Sequence, residues 1–113
     1  MVEAKAAPEL VERILQGAYA QVLHKIERVD GTSIVGLMQS RRRGKDRTHA
    51  IAVIPGVLNR ANFGQIVTEA QQHGVANVRD IIFFCRTCTY NGDGMTVAQI
   101  GEYVPAEMLA DAA

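Results

Sequence analysis

The sequence lacks the features of several protein classes. It has no tryptophan, aromatic side chains make up 5% of it, and it has two cysteines in 113 residues. Two cysteines are too few for a disulfide framework, which favours a reduced, cytoplasmic protein. No apolar run approaches the roughly 20 residues of a membrane-spanning helix. Lysine plus arginine number 12 and so do aspartate plus glutamate, so the chain is not a uniformly basic nucleic-acid-binding protein.

What remains is the composition of an ordinary globular domain. Hydrophobic residues make up 48% and charged residues 21% of the sequence, close to typical soluble domains. The length leaves room for one domain. We therefore expect a flexible N-terminus over residues 1–7 and a single α/β domain over residues 8–113.

Helical and strand patterns follow one another along the chain. Four kinds of feature mark the elements: a Pro that suits a first helical turn, two stretches rich in β-branched residues around a turn, two uninterrupted apolar runs and one amphipathic stripe. They predict a helix from Pro8 to about Gly17, strands over 22–29, 32–39 and 50–54, a helix over 62–73, strands over 81–85 and 95–100, and a short helix over 106–109.

The stretch before Asp30 allows two interpretations. Leu15, Tyr19, Val22 and Ile26 fit one long helix that would run to residue 28. Asp30-Gly31 is instead a preferred hairpin turn, and β-branched residues flank it on both sides. We favour the hairpin, because the turn accounts for two strands at once.

This order predicts the fold class α/β (α+β). The first three strands are joined by short connections and should be antiparallel, whereas strand 50–54, helix 62–73 and strand 81–85 form a parallel βαβ unit. The expected result is a mixed sheet of about five strands with helices on both faces, in the order α-β-β-β-α-β-β-α. Ile51, Val53, Phe63, Ile66, Val67, Ile82 and Phe84 are the expected core.

The order of the predicted elements over about residues 8–86 resembles the restriction-endonuclease-like fold. This order is helix, three strands, helix and strand. Active members of that family carry an acidic residue near the second strand and an acidic-x-lysine pair on the third. Asp30 matches the first position, but the strand at 50–54 has neither acid nor lysine. The resemblance therefore implies a scaffold without catalytic residues and without a bound metal or other cofactor. It is similar to accessory domains of restriction–modification and DNA-processing proteins.

A basic connection precedes the third strand. Five of the 12 basic residues lie within seven positions, although the net charge is zero. Arginine forks match phosphate oxygens, so this cluster indicates contact with a polyanion. The scarcity of aromatics favours duplex DNA over single strands. The candidate nucleic-acid-binding residues are Arg41, Arg42, Arg43, Lys45 and Arg47, with Arg60 added if it lies on the same edge; the alternative is a solvated loop.

Cys85 and Cys88 form a C-x-x-C pair, a spacing typical of redox motifs and half zinc sites. A turn follows it rather than a helix, and no second ligand pair exists in the sequence. On an extended strand the two side chains should point to opposite faces. We expect two quiet thiols, with a zinc site shared with another subunit as the weaker interpretation.

The remaining polar residues form no catalytic pattern. The histidines lack carboxylate or cysteine neighbours at motif spacing, and the acids, including Asp80, are scattered. The leading hypothesis is a non-catalytic DNA-associated domain of a restriction, modification or repair system. One alternative is a protein-interaction or homo-oligomerisation domain, based on an exposed fourth strand and the apolar tail 104–109. The other is an enzyme, either a residual nuclease using Asp30 or a thiol enzyme using Cys85.

Overall fold

The computed structural model describes residues 6–108, and for Arg42 it describes the backbone alone. Two complete α-helices and five strands lie within the described residues, with short 3-10 turns before β1, before β4 and after β5. The elements are α1 (Pro8–Ala18), β1 (Ile26–Arg28), β2 (Ile34–Arg42), β3 (Lys45–Leu58), α2 (Arg60–Gln72), β4 (Ile81–Cys88) and β5 (Thr96–Gln99).

The five strands form one mixed sheet in the order β1-β2-β3-β4-β5. The pairs β1–β2 and β2–β3 are antiparallel, whereas β3–β4 and β4–β5 are parallel. The helix α2 connects the parallel strands β3 and β4. The predicted fold class and strand directions are therefore confirmed.

Each face of the sheet carries its own core. Ile66 and Ala70 of α2 pack with β3 and β4 side chains such as Phe83 on one face. Leu10 and Ile14 of α1 pack with Phe84 and others on the opposite face. Neighbouring residues of β4 thus serve different cores, because successive side chains of a strand alternate between faces.

The hairpin interpretation of residues 20–39 is confirmed, but its first strand is shorter than expected. The helix α1 ends at Ala18, and β1 covers Ile26–Arg28 rather than 22–29. The hairpin connection is also longer than the predicted two-residue Asp30-Gly31 turn. Arg28 pairs with Gly36, and Val29 donates its backbone N–H to the Val35 carbonyl, so residues 30–34 lie between the paired residues.

Two boundaries of the central βαβ unit differ from the expectation. Pro55-Gly56 does not end β3, which continues to Leu58 through a bulge opposite β4. The N-cap of α2 is Asn59, and its capping box pairs Asn59 with Asn62 rather than Asn62 with Gln65. The side chain of Asn62 also donates to the Val57 carbonyl at 2.7 Å, so one buried amide fixes the end of β3 and the start of α2.

The C-terminal part of the described chain packs onto the domain. A helical segment begins at Ala106, and Leu109 of the predicted 106–109 helix lies outside the described residues, as do residues 1–5 of the predicted flexible N-terminus. Val104 is buried and Met108 packs against the α1-side core. This part of the apolar tail therefore belongs to the core and is not a free surface. The expectation of an exposed fourth strand is wrong too, because β4 lies between β3 and β5 and residues 81–85 are mostly buried. Within residues 6–108, no helix has the length and apolarity to cross a bilayer.

Candidate nucleic-acid interface

The basic segment is a two-stranded ribbon and not a loop. The strands β2 and β3 stay paired up to Arg42 and Lys45, and the chain reverses through Arg43 and Gly44 alone. These two residues have φ values of 53° and 77°, the left-handed pair typical of a tight hairpin turn that matches strand twist. Gly44 tolerates this conformation because it lacks a Cβ.

The ribbon extends beyond the rest of the sheet. β1 starts opposite Met38, and β4 starts opposite Ala50, so residues 39–49 pair only with each other. We call residues 39–49 the arm. Its described side chains are exposed or half-buried on both faces, because neither α-helix covers it. β3 spans about 40 Å from Lys45 to Leu58 at the usual rise per residue, close to the 43 Å long axis of the molecule.

The two faces of the arm carry different chemistry. On the face shared with α2, the hydroxyl of Thr48 donates to the Gln39 side chain at 3.1 Å, and Arg41 lies 4.0 Å from Asp46. These two pairs lie two and four residues beyond the pair Leu37 and Ala50 along the same strands, so their side chains share its face. Leu37 and Ala50 pack toward α2. This face therefore holds donors and acceptors with no net charge.

The opposite face, shared with α1, holds the cations Lys45 and Arg47 and the polar pair Ser40 and His49. The hydroxyl of Ser40 lies 2.7 Å from Nε2 of His49. Nδ1 of His49 lies 3.8 Å from Oδ1 of Asp80, too far for a hydrogen bond. Only the strand pairing of the segment separates its side chains into these two faces.

Asp80 fastens the base of the arm to β4. Its carboxylate is largely buried, and its Oδ1 lies 2.9 Å from Nε of Arg47 in an ion pair. The turn before β4 presents this acid, for which no local sequence pattern indicates a partner. The ion pair joins Arg47 of the arm to the turn before β4.

The arm end of the sheet collects most of the basic side chains. Lys25 directly precedes β1, and the exposed Arg79 directly precedes Asp80, so both lie at the base of the arm. Sequence reasoning missed both residues, because only the strand register brings them there. Seven of the 12 lysines and arginines of the sequence lie at this end: Lys25, Arg41, Arg42, Arg43, Lys45, Arg47 and Arg79.

Arg60 does not belong to this set. It opens α2 two residues after Leu58, at the opposite end of β3 from the arm. The condition for adding Arg60 to the basic cluster, a position on the same edge, is therefore not met, because β3 is much longer than the predicted strand over 50–54.

The cysteine pair is arranged differently from the expectation. Both side chains pack against the α2-side core, so they do not point to opposite faces. Burial, followed by the neighbouring Cys88, raises the pKa of Cys85 from 9.0 to about 11. The thiol of Cys88 donates to the Tyr90 carbonyl at 2.9 Å. Cys85 is thus a protonated core thiol and a poor nucleophile.

The far end of the sheet holds a cleft of about 520 Å³ between α1 and the β1–β2 turn. Asp30 lies in its wall, and an ion pair between Arg28 and Glu12 lines it. Among residues 6–108, no group of three or more histidines, cysteines or acids has a metal-binding arrangement.

The described residues thus offer one concentrated polar feature, the basic arm, set on a rigid mixed sheet. No family model, curated protein or solved structure matches this chain.

Proposed function

We propose that this chain is a non-catalytic DNA-associated domain that contacts phosphates through its basic arm. The observation that supports it most is the arm itself, a two-stranded ribbon that projects past both helical layers. Lys45 and Arg43 are exposed at its tip, and neither forms an ion pair with a described residue. When an exposed lysine or arginine neutralises a phosphate, the counterions condensed on the DNA are released, which favours association.

The shape of the arm fits a duplex. A two-stranded β-ribbon is narrow enough to enter the major groove of B-form DNA, which is about 12 Å wide. The cations at the tip would then lie between the two phosphate rows, where the negative potential is high. Because Asp80 holds the base of the arm, little ordering free energy is lost on binding.

The element order also agrees with the predicted resemblance to restriction-endonuclease-like domains, which stays a prediction. On this interpretation the chain is an accessory unit of a DNA restriction, modification or repair system. β3 has no acidic-x-lysine pair that could act together with Asp30, the acid that precedes β2. On this interpretation the family's metal-binding and water-activating groups are therefore missing.

The test compares charge removal at the two ends of the sheet. One double variant, Arg43→Asn with Lys45→Gln, removes two charges at the tip; asparagine is chosen because it tolerates a positive φ. The control, Arg60→Gln with Arg86→Gln, removes two exposed charges at the opposite end of β3 and β4. Binding of each protein to a labelled duplex is measured by fluorescence anisotropy between about 50 and 200 mM salt.

We expect the tip variant to bind more weakly at low salt. Its slope of log affinity against log salt should become shallower by about 0.9 for each phosphate that the tip no longer neutralises. The control should retain the parent slope. Equal weakening in both variants would indicate unspecific charge attraction, and absence of binding by the parent protein at about 50 mM salt would refute the proposal.

A further inference from the structure

The arm has a face whose chemistry does not suit phosphates. Gln39, Thr48, Arg41 and Asp46 share the α2 side of the ribbon and have no net charge. A carboxylate beside phosphates is repelled, so Asp46 would weaken a surface used only for backbone contact. The opposite side of the ribbon holds the cations Lys45 and Arg47. Contact with phosphates alone does not explain why one face has cations and the other has polar side chains with no net charge.

These four residue types are those that read base edges. In the major groove, arginine pairs with guanine, glutamine with adenine, an acidic side chain accepts from the cytosine amino group, and threonine contacts several bases. We infer that the Gln39–Thr48 and Arg41–Asp46 face of the arm reads base pairs in the major groove of B-form DNA. The inference rests on the DNA contact proposed above and reassigns Arg41 from phosphate to base recognition.

The present partners of these side chains are weak enough to be exchanged. Arg41 and Asp46 are 75% and 78% exposed and 4.0 Å apart. The hydrogen bond between Gln39 and Thr48 is also exposed. Exposed pairs of this kind contribute little to stability, so their replacement by bonds to bases costs the fold almost nothing.

The spacing of the two pairs matches the spacing of bases. Gln39 and Arg41 are two residues apart on β2, which separates them by about 7 Å along the strand. Adjacent base pairs are about 3.4 Å apart along the helix axis. The two layers of side chains are therefore two base-pair steps apart, and the arm should read a motif of roughly three to four base pairs.

The same geometry selects DNA over double-stranded RNA. The major groove of A-form RNA is deep and too narrow for side chains to read. A ribbon that works by entering this groove should prefer B-form duplexes of the same sequence.

The experiment selects binding sequences from a random duplex DNA library with the full chain, and measures the affinity for the enriched duplex, a scrambled duplex and the matching RNA duplex. The principal variant is Arg41→Lys, which keeps the charge but removes the planar fork that pairs with guanine. Gln39→Ala is the second variant, and Arg60→Lys and Gln65→Ala, on α2, are the matched controls. Urea unfolding checks that each variant is folded.

We expect the parent chain to enrich a short motif, and Arg41→Lys and Gln39→Ala each to reduce the discrimination between enriched and scrambled duplexes by roughly tenfold to hundredfold. The salt dependence of Arg41→Lys should stay that of the parent, and both controls should keep the motif. Binding without any enriched motif, or equal binding of the RNA duplex, would overturn base reading and leave phosphate contact standing. No binding at low salt would overturn both proposals.

Discussion

The strand β3 has two halves that follow different rules. Residues 50–54 are buried between two helices and contain only apolar side chains, whereas residues 45–47 are exposed and contain only charged ones. Residues 45–51, which include the exposed half and the start of the buried one, pair with β2 in one unbroken antiparallel register from Gly36 to Arg42. A bulge follows in β2, and beyond it Ala52 pairs with Ile34. Backbone pairing alone therefore does not distinguish a core strand from a projecting arm; coverage by helices does.

The two halves of β3 also differ in their contribution to the free energy of folding. The covered half contributes to stability through burial of apolar surface. The arm buries little and depends on its connection to the covered half, so it can hold side chains chosen for a partner. The following predictions test this division, beginning with the largest expected effect.

Phe84→Ala should destabilise the protein by about 3–5 kcal/mol, the usual cost of truncating a buried aromatic side chain. Phe84 is 2% exposed, and its ring meets Tyr19 and Tyr103 edge to face. Urea unfolding followed by circular dichroism measures the change. A destabilisation below about 1 kcal/mol would mean that the covered half of the sheet does not dominate stability.

Cys85 should resist alkylation in the folded protein, because the rise in its pKa from 9.0 to about 11 leaves roughly 100-fold less thiolate near pH 8. Mass spectrometry after iodoacetamide treatment, with and without urea, measures this protection. Similar rates in both conditions would show that β4 opens readily.

The raised pKa of Cys85 also gives a sign for the pH dependence of stability. The folded state holds this proton more tightly than the unfolded chain, so the stabilising contribution is complete below about pH 9 and is lost as the pH rises towards 11. The urea midpoint of Cys85→Ala should fall less over this range than that of the parent protein.

Asp80→Asn should cost about 1–2 kcal/mol, since it removes the largely buried charge that forms an ion pair with the half-exposed Arg47. Glu12→Gln is the matched control at the far end, where the ion pair with Arg28 is about half exposed and should contribute less than about 1 kcal/mol. Hydrogen exchange should also show faster exchange of arm amides in Asp80→Asn. If Glu12→Gln lowered the free energy of unfolding as much as Asp80→Asn, the Asp80 ion pair would stabilise the protein no more than an exposed ion pair does.

Local patterns predicted most of the fold. The apolar runs at 50–54 and 81–85 located the central strands, because a strand covered on both faces needs apolar residues at every position. Gly74 predicted the end of α2, and the structure gives it a φ of 84° after the C-cap. The Asp30-Gly31 dipeptide predicted the first hairpin, although the connection covers residues 30–34 rather than two residues. These features depend on a few neighbouring residues, so the sequence alone was sufficient.

The candidate site was only half predictable. The density of arginine identified residues 41–47 as unusual, but a polar strand has no apolar alternation, and Arg43-Gly44 is not among the common hairpin dipeptides. The segment therefore resembled a loop. The meeting of Arg47, His49 and Asp80 depends on partners 31 to 33 positions apart in the chain, a separation that no local pattern can report.

The sequence by itself determined the number of elements, their order, the buried strands and the concentration of charge at residues 41–47. Only the tertiary structure decided that this charge lies on a projecting ribbon, that Arg60 lies about 40 Å away, and that Asp80 fastens the base. The reason is that composition and periodicity act through near neighbours, whereas the direction and coverage of a strand depend on where distant parts of the chain stop packing against it.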